Sequence, residues 1–129
     1  MKYIKYLIIV ILSSTMFSEN RDIMFESVKK YLAKYRYTIE TNDLEIKNGI
    51  ITLEISSRRT NINSQVLLGF YSIGRSLKKT NKSFNEIHIV IKYDNYNRNK
   101  DIIIAPIEIV KKLSNGKINS SQFFKIMEL

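Results

Sequence analysis

A short segment near the middle of the chain constrains the fold most strongly. Asn48-Gly49 separates two runs, 43–47 and 50–55, in which apolar and polar residues alternate. Such alternation indicates half-buried β-strands. Asn-Gly is the preferred pair for a two-residue type I′ turn, because both turn residues need a positive φ. The segment therefore predicts a tight β-hairpin.

The turn also determines which residues face each other across this hairpin. The register predicts the pairs Lys47 with Ile50, Ile46 with Ile51, Glu45 with Thr52, Leu44 with Leu53 and Asp43 with Glu54. The apolar pairs then lie on one face and the polar pairs on the other. We expect the apolar face to pack against helices.

Helical periodicity precedes and follows the hairpin. Residues 21–36 and 64–79 carry apolar side chains at three- and four-residue spacing, which predicts two amphipathic helices. We expect Asn63 or Ser64 to cap the second helix. The predicted apolar faces comprise Met24, Val28, Tyr31, Leu32 and Tyr35 in the first helix, and Val66, Phe70, Ile73 and Leu77 in the second. Gly69 and Gly74 are expected to allow close approach of other elements to the second helix.

The C-terminal part predicts two further strands and two short helices. Alternation over 86–93 and the apolar run 102–105 indicate a second hairpin. Helices are predicted over 107–113 and 120–127, with Asn119 in the position of a capping-box N-cap for the last one.

These elements define a fold class. The prediction is α+β, ordered helix–hairpin–helix–hairpin–helices, with a mostly antiparallel four-stranded sheet packed on helices. We expect a single small α+β domain over 19–129 with a two-helix C-terminal tail at 106–128, since 129 residues allow one compact domain.

The N-terminus has the layout of a secretory signal peptide. Two lysines in the first five residues precede the apolar run 7–12, and a polar segment begins at Ser18. The run is shorter than the roughly 20 apolar residues that a membrane-spanning helix needs. We therefore expect residues 1–18 to be a cleaved signal peptide and the protein to be periplasmic or secreted. The alternatives are an uncleaved N-terminus that tethers the protein to the membrane, and a buried N-terminal strand or helix.

The amino-acid composition limits the kinds of functional site that the chain can form. The chain contains no Cys and one His, His88, which excludes disulfides, thiolate metal sites and cysteine nucleophiles. Neither a Gly-rich phosphate loop nor a metalloprotease motif is present, so we expect no cofactor and no metal. With 21 basic against 12 acidic residues the formal net charge is +9, which favours an anionic partner.

A group of basic residues is the main candidate for binding. It comprises Arg58, Arg59, Arg75, Lys78, Lys79 and Lys82. These residues fall at the end of the second predicted helix and in the loop that leads into it. We expect them to form a patch that contacts lipid headgroups at the membrane surface, a wall polymer or an acidic protein. Export and the lack of a recognised motif argue against nucleic acid. A merely solubilising surface is the competing interpretation.

A small hydrolase is one alternative to a binding protein. Glu86 and His88 share one face of a predicted strand, and Asp43, Glu45 and Glu54 share the polar face of the first hairpin. Paired carboxylates or a carboxylate with a histidine could supply acid and base catalysis. An ordinary solvent-exposed face is the simpler interpretation of both groups.

A structural subunit is another alternative, in which an exposed strand edge pairs with another chain of an envelope assembly. The sequence leaves the oligomeric state open. A surface for stacking ligands is also conceivable, because the chain is rich in tyrosine, although the spacing of these residues also fits the edge of a core. The tyrosines concerned are Tyr31, Tyr35, Tyr37, Tyr93 and Tyr96.

Residues 21–93 resemble the BON domain of bacterial envelope proteins. The resemblance rests on the order helix, hairpin, helix, strand and on the strand-Asn-Gly-strand phrase around Asn48-Gly49. It implies a non-enzymatic envelope module that contacts phospholipid or other envelope components. The segment 101–129 has no counterpart in that family, and the second helix is bulky where the family tends to be rich in alanine.

Overall fold

The computed structural model describes residues 20–57, 62–93 and 100–129. The elements are α1 (residues 20–33), β1 (Leu44–Lys47), β2 (Ile50–Ser57), α2 (Ile62–Ser76), β3 (Glu86–Tyr93), β4 (Asp101–Pro106), α3 (Ile107–Ser114) and α4 (Ser120–Met127). Short 3-10 turns occupy Thr41–Asp43 and Leu77–Lys79. The predicted α+β fold is confirmed. The predicted signal peptide 1–18, Arg58, Arg59 and Tyr96 lie outside the described residues.

The four strands form one sheet in the order β1-β2-β3-β4. β1 with β2 and β3 with β4 are antiparallel neighbours, whereas β2 and β3 run parallel. Parallel strands need a crossover connection, and α2 lies in the connection between them. Two of the three pairings are antiparallel, which confirms the prediction of a mostly antiparallel sheet.

The β1–β2 hairpin has the predicted turn and register. Asn48 and Gly49 have φ angles of 54° and 76°, and positive values at both positions are what a type I′ turn requires. The strand pairs run from Lys47 opposite Ile50 to the far end of β1 as the alternation predicts.

Asp43 departs from the predicted hairpin. It lies in the 3-10 turn before β1, where its carboxylate accepts a hydrogen bond of 2.7 Å from the Glu40 N–H. This bond caps the turn and takes Asp43 out of the strand, so the prediction that it faces Glu54 is wrong. Aspartate side chains that bond to nearby backbone compete with strand structure, which alternation alone does not show.

One face of the sheet packs against the helices to form the core. Its buried side chains are Leu44, Ile51, Leu53, Ile55, Ile87, Ile89, Ile91 and Ala105. The backbone of α2 comes close to this face, since a Cβ at Gly69 would lie 3.0 Å from Ile89 Cδ1. α4 completes the core through Phe123, whose ring centroid lies 5.4 Å from that of Phe70.

The other face of the sheet, here called the open face, carries half-buried and exposed side chains. Across the strands these are Glu45, Lys47, Ile50, Thr52, Glu54, Glu86, His88, Val90, Lys92, Ile102 and Ile104. Most are polar, but Ile102 and Ile104 place two large apolar side chains on the outermost strand.

α1 ends three residues earlier than predicted. Residues 34–36 form a turn in which Arg36 has a φ of 61°, and the Tyr37 N–H donates to the Leu32 carbonyl at 3.1 Å. Because the chain leaves the helical path here, the three- and four-residue spacing no longer holds. Tyr35 is consequently 59% exposed, and its prediction on the buried face is wrong.

α2 begins two residues earlier than predicted. Asn63 and Ser64 lie inside its first turn. A capping residue precedes the first helical residue, so the prediction that one of them caps the helix is wrong. The predicted apolar face is confirmed, with Val66, Phe70 and Ile73 buried.

The capping of α4 is confirmed. The Asn119 side chain accepts a bond of 2.8 Å from the Gln122 N–H, and the Gln122 side chain accepts one of 2.9 Å from the Asn119 N–H. This reciprocal pair is the capping box that the spacing predicts.

Candidate functional site

The end of α2 concentrates positive charge. Arg75, Lys78 and Lys79 lie within its last turn and the 3-10 turn that follows, and Lys82 lies in the irregular segment beyond. The first three are exposed and Lys82 is half-buried. Positive side chains are favourable here because the helix dipole places partial negative charge at a C-terminus.

A hydrogen bond between two serine hydroxyl groups joins this end of α2 to α1. Ser76 is fully buried, and its hydroxyl donates to the Ser72 carbonyl at 2.7 Å. It also accepts a bond of 2.7 Å from the Ser27 hydroxyl of α1. The bond between Ser27 and Ser76 therefore links α1 to the end of α2 that precedes the basic residues.

α3 packs closely against the same end of α2. A Cβ at Gly74 would lie 2.6 Å from Ser114 Cβ and 3.1 Å from the Val110 carbonyl oxygen, so only glycine permits this approach of the two helices. The predicted role of Gly74 in close approach is confirmed. As a result, Lys111 of α3 lies beside the end of α2.

α1, α3 and the end of α2 with the segment that follows it line one concave surface, here called the basic pocket. Its volume is about 620 Å³. The cations that line it are Arg75, Lys78, Lys79, Lys82 and Lys111. No Asp or Glu is among the described residues of its lining. Four of the six predicted binding residues therefore meet in one cavity, whereas Arg58 and Arg59 lie outside the described part of the chain.

Lys111 is the cation of the pocket that the sequence did not predict. In the sequence it is one of two adjacent lysines near the end of a short helix, where the helix dipole alone explains a positive charge. The available signal was Gly74, which indicated that some element approaches α2 closely. Which element does so depends on the tertiary structure.

The positive charge of the pocket exceeds what the helix ends can neutralise. A helix C-terminus carries about half of one negative elementary charge. The ends of α1, α2 and α3 all lie near the pocket and together supply about one and a half negative charges. Arg75, Lys78, Lys79 and Lys111 alone therefore leave a surplus of about two and a half positive charges, which suits an anionic ligand.

The positive surface continues from the pocket along α1. A shallower cavity of about 580 Å³ shares Tyr31 and Lys79 with the basic pocket and is lined also by Lys30 and Lys34. Lys34 Nζ lies 5.0 Å from the centroid of the Tyr31 ring, within the range of a cation–π interaction. Glu26 contributes one acidic group to this cavity.

Glu86 and His88 form a pair away from the basic pocket. Glu86 Oε1 and His88 Nε2 are 3.0 Å apart on the open face, with Thr52 and Ile104 on the neighbouring strands beside His88. Both side chains are partly exposed. Among the residues with described positions, no three potential metal-ligating side chains come together.

The hairpin carboxylates do not converge into a pair. Glu54 is held by Lys100 Nζ at 3.1 Å and by Lys92 Nζ at 3.2 Å. Burial by itself would raise the pKa of Glu54, but the hydrogen bonds and the attraction of the two lysines outweigh it and lower that pKa below its ordinary value. Glu54 is therefore a stabilised carboxylate, the opposite of a general acid.

The described tyrosines lie on different surfaces of the protein. Tyr31 lines the basic pocket, and Tyr35 and Tyr37 line a groove of about 780 Å³ that also contains Tyr71. The Tyr93 hydroxyl donates to the Asp101 carboxylate. This hydrogen bond raises the pKa of Tyr93.

Comparison with protein-family models, with curated proteins and with solved structures finds no match for this chain. Within the described residues, none of the helices combines the length and apolar character needed to span a membrane.

Proposed function

We propose that the protein is an exported, non-enzymatic binding module of the bacterial envelope that uses the basic pocket to hold an anionic group. The single observation that carries this proposal is the convergence of five cations, without an acidic residue among the described lining, in a cavity of about 620 Å³. A concave site of this size suits a compact anionic group such as a phosphate-bearing lipid headgroup or polymer unit.

The predicted signal peptide and the BON-like resemblance support the choice of partner. An exported protein meets anionic lipid and wall polymer rather than nucleic acid. The order of α1, β1, β2, α2 and β3 is the order on which the resemblance rests. The resemblance implies contact with phospholipid or other envelope components.

Charge reversal tests the proposal. Binding of the full chain is measured to phosphatidylcholine vesicles with and without phosphatidylglycerol, and to soluble polyphosphate. Each basic residue near an anionic surface contributes about 1 kcal/mol, so R75E/K78E is expected to weaken binding at least about tenfold and to reduce its salt dependence. K111E is expected to weaken binding as well, because Lys111 belongs to the same pocket although it comes from another helix.

The matched control is K117E/K125E. These two exposed lysines lie outside the basic pocket, and their reversal changes the net charge by the same amount. If the control loses as much affinity as R75E/K78E, the basic residues serve only as a solubilising surface and the proposal is wrong. Binding to polyphosphate but not to the anionic vesicles would assign the pocket to a polymer rather than to lipid.

A further inference from the structure

In the part of the chain that the structure describes, no strand pairs with the outer edge of β4, a strand with exposed apolar side chains. β4 has six residues and lies at one end of the sheet. Ile102 and Ile104, both on the open face, are 58% and 48% exposed. Unprotected edges of this kind readily pair with another strand, and folded proteins usually blunt them with charges.

The hydrogen bonds between β3 and β4 show which backbone groups point outward. Pro106 has no N–H and lies opposite Glu86, so these two residues cannot be a hydrogen-bonded pair. The Ile107 N–H donates to the Asn85 carbonyl at 3.0 Å. Because hydrogen-bonded and non-hydrogen-bonded pairs alternate, residues 101, 103 and 105 bond to β3. The N–H and C=O groups of Ile102 and Ile104 therefore face away from the sheet.

The opposite edge of the sheet is a poor partner for these groups. β1 has only four residues, and its open-face side chains are the charged Glu45 and Lys47. Pairing β4 of one molecule with β1 of the next would place isoleucines beside charges. Pairing β4 with a second β4 places isoleucines beside isoleucines.

We propose that two copies of this chain pair through antiparallel β4 strands around a two-fold axis at Ile103. Ile102 of each copy then lies opposite Ile104 of the other, and each such pair exchanges two N–H to C=O bonds. The Lys100 N–H of each copy lies opposite the Pro106 carbonyl of the other. Pro106 has no N–H to donate in return, so the carbonyl of Lys100, at the end of the ladder, is left to bind water.

Other registers also keep Ile102 and Ile104 of both copies on the open face, but this one is the most favourable. A shift in one direction places Pro106 opposite Ile102, so that the carbonyl of Ile102, rather than that of Lys100 at the end of the ladder, lacks a donor. A shift in the other direction places Ile102 opposite Ile102 and leaves Ile104 opposite Lys100. In the proposed register Asp101 faces Ala105, so no like charges oppose each other. The result is a continuous eight-stranded sheet whose open face gains a cluster of four isoleucines across the axis.

The mass of the full chain in solution tests this pairing. Analytical ultracentrifugation from about 1 to 300 µM is expected to show a concentration-dependent dimer. I104K and I102K place a charge on the outer edge without removing a bond to β3, so each should raise the dimer dissociation constant at least about tenfold. I126K is the matched control, because Ile126 on α4 is 50% exposed and lies away from the sheet. It should associate like the unmodified chain.

A mixing experiment tests the register. I102K and I104E are each expected to be monomeric, but an equimolar mixture should form a dimer, since the introduced lysine of one copy faces the introduced glutamate of the other. Circular dichroism confirms that each variant is folded. The pairing would be overturned if the unmodified chain stays monomeric at every concentration. It would also be overturned if I104K, I102K and I126K change the association equally. Failure of the mixture to dimerise would overturn the register.

Discussion

Arg36 has a backbone conformation that few side chains adopt. Its φ is 61°, and its N–H donates to the Ala33 carbonyl at 3.1 Å while the Tyr37 N–H donates to the Leu32 carbonyl at 3.1 Å. These two bonds form a Schellman motif, in which glycine is the usual residue at this position. The sequence thus ends α1 with a residue that is strained there.

Replacing Arg36 by glycine should stabilise the protein. The left-handed conformation costs a residue with a Cβ about 1–2 kcal/mol, and the extra freedom of glycine in the unfolded chain offsets about half of this. We expect R36G to raise the free energy of unfolding by about 0.5–1 kcal/mol in urea titrations. R36A retains the Cβ and should give no such gain. An equal gain in R36A would show that the arginine side chain, rather than the backbone, is the source of the strain.

At the scale of elements, the contact between α2 and α3 shapes the basic pocket. A Cβ at Gly74 would lie closer to Ser114 than any real contact. Substitution by alanine gains about 1 kcal/mol of helix propensity, but overpacking typically costs about 1–3 kcal/mol. The nearest atoms are Cβ and Oγ of the short Ser114 side chain and the Val110 carbonyl oxygen, none of which is the end of a long flexible side chain. We therefore expect the cost to exceed the gain.

G74A should therefore lower the urea midpoint and weaken anion binding, since α3 must move and carries Lys111 with it. G69A is the matched control in the same helix. There the nearest atom is Cδ1 of Ile89, the end of a flexible side chain, so the substitution should cost less and should leave anion binding unchanged. Equal effects of G69A and G74A on anion binding would show that the contact with α3 does not position the pocket.

At the scale of the whole molecule, the choice of partner depends on both the net charge and the cellular compartment. A chain with a formal net charge of +9 attracts any polyanion, so the compartment decides which partner it meets. We expect the protein expressed in a bacterial host to be recovered from the envelope fraction, shortened by about 14–18 residues. Intact mass spectrometry of each cell fraction measures this. A full-length protein in the cytoplasm would contradict export and would make nucleic acid the partner to test.

Two kinds of feature were already determined by the sequence. The type I′ turn at Asn48-Gly49, the hairpin register from Lys47 to Leu44 and the capping box of α4 depend on residues close together in the chain. All three are present as predicted. The α+β class followed from the succession of periodicities. Local hydrogen bonding and side-chain alternation suffice for these features because the interacting groups are neighbours in sequence.

The tertiary structure decided what depends on contacts between distant segments. Lys111 joins the basic pocket only because Gly74 lets α3 approach α2. Glu54 is neutralised by Lys92 of β3 and by Lys100, which precedes β4. The exposed edge of β4 likewise depends on the order of strands in the sheet. Periodicity specifies which face of an element is apolar, but it carries no information on which other element covers that face, because packing energy is shared among many distant residues.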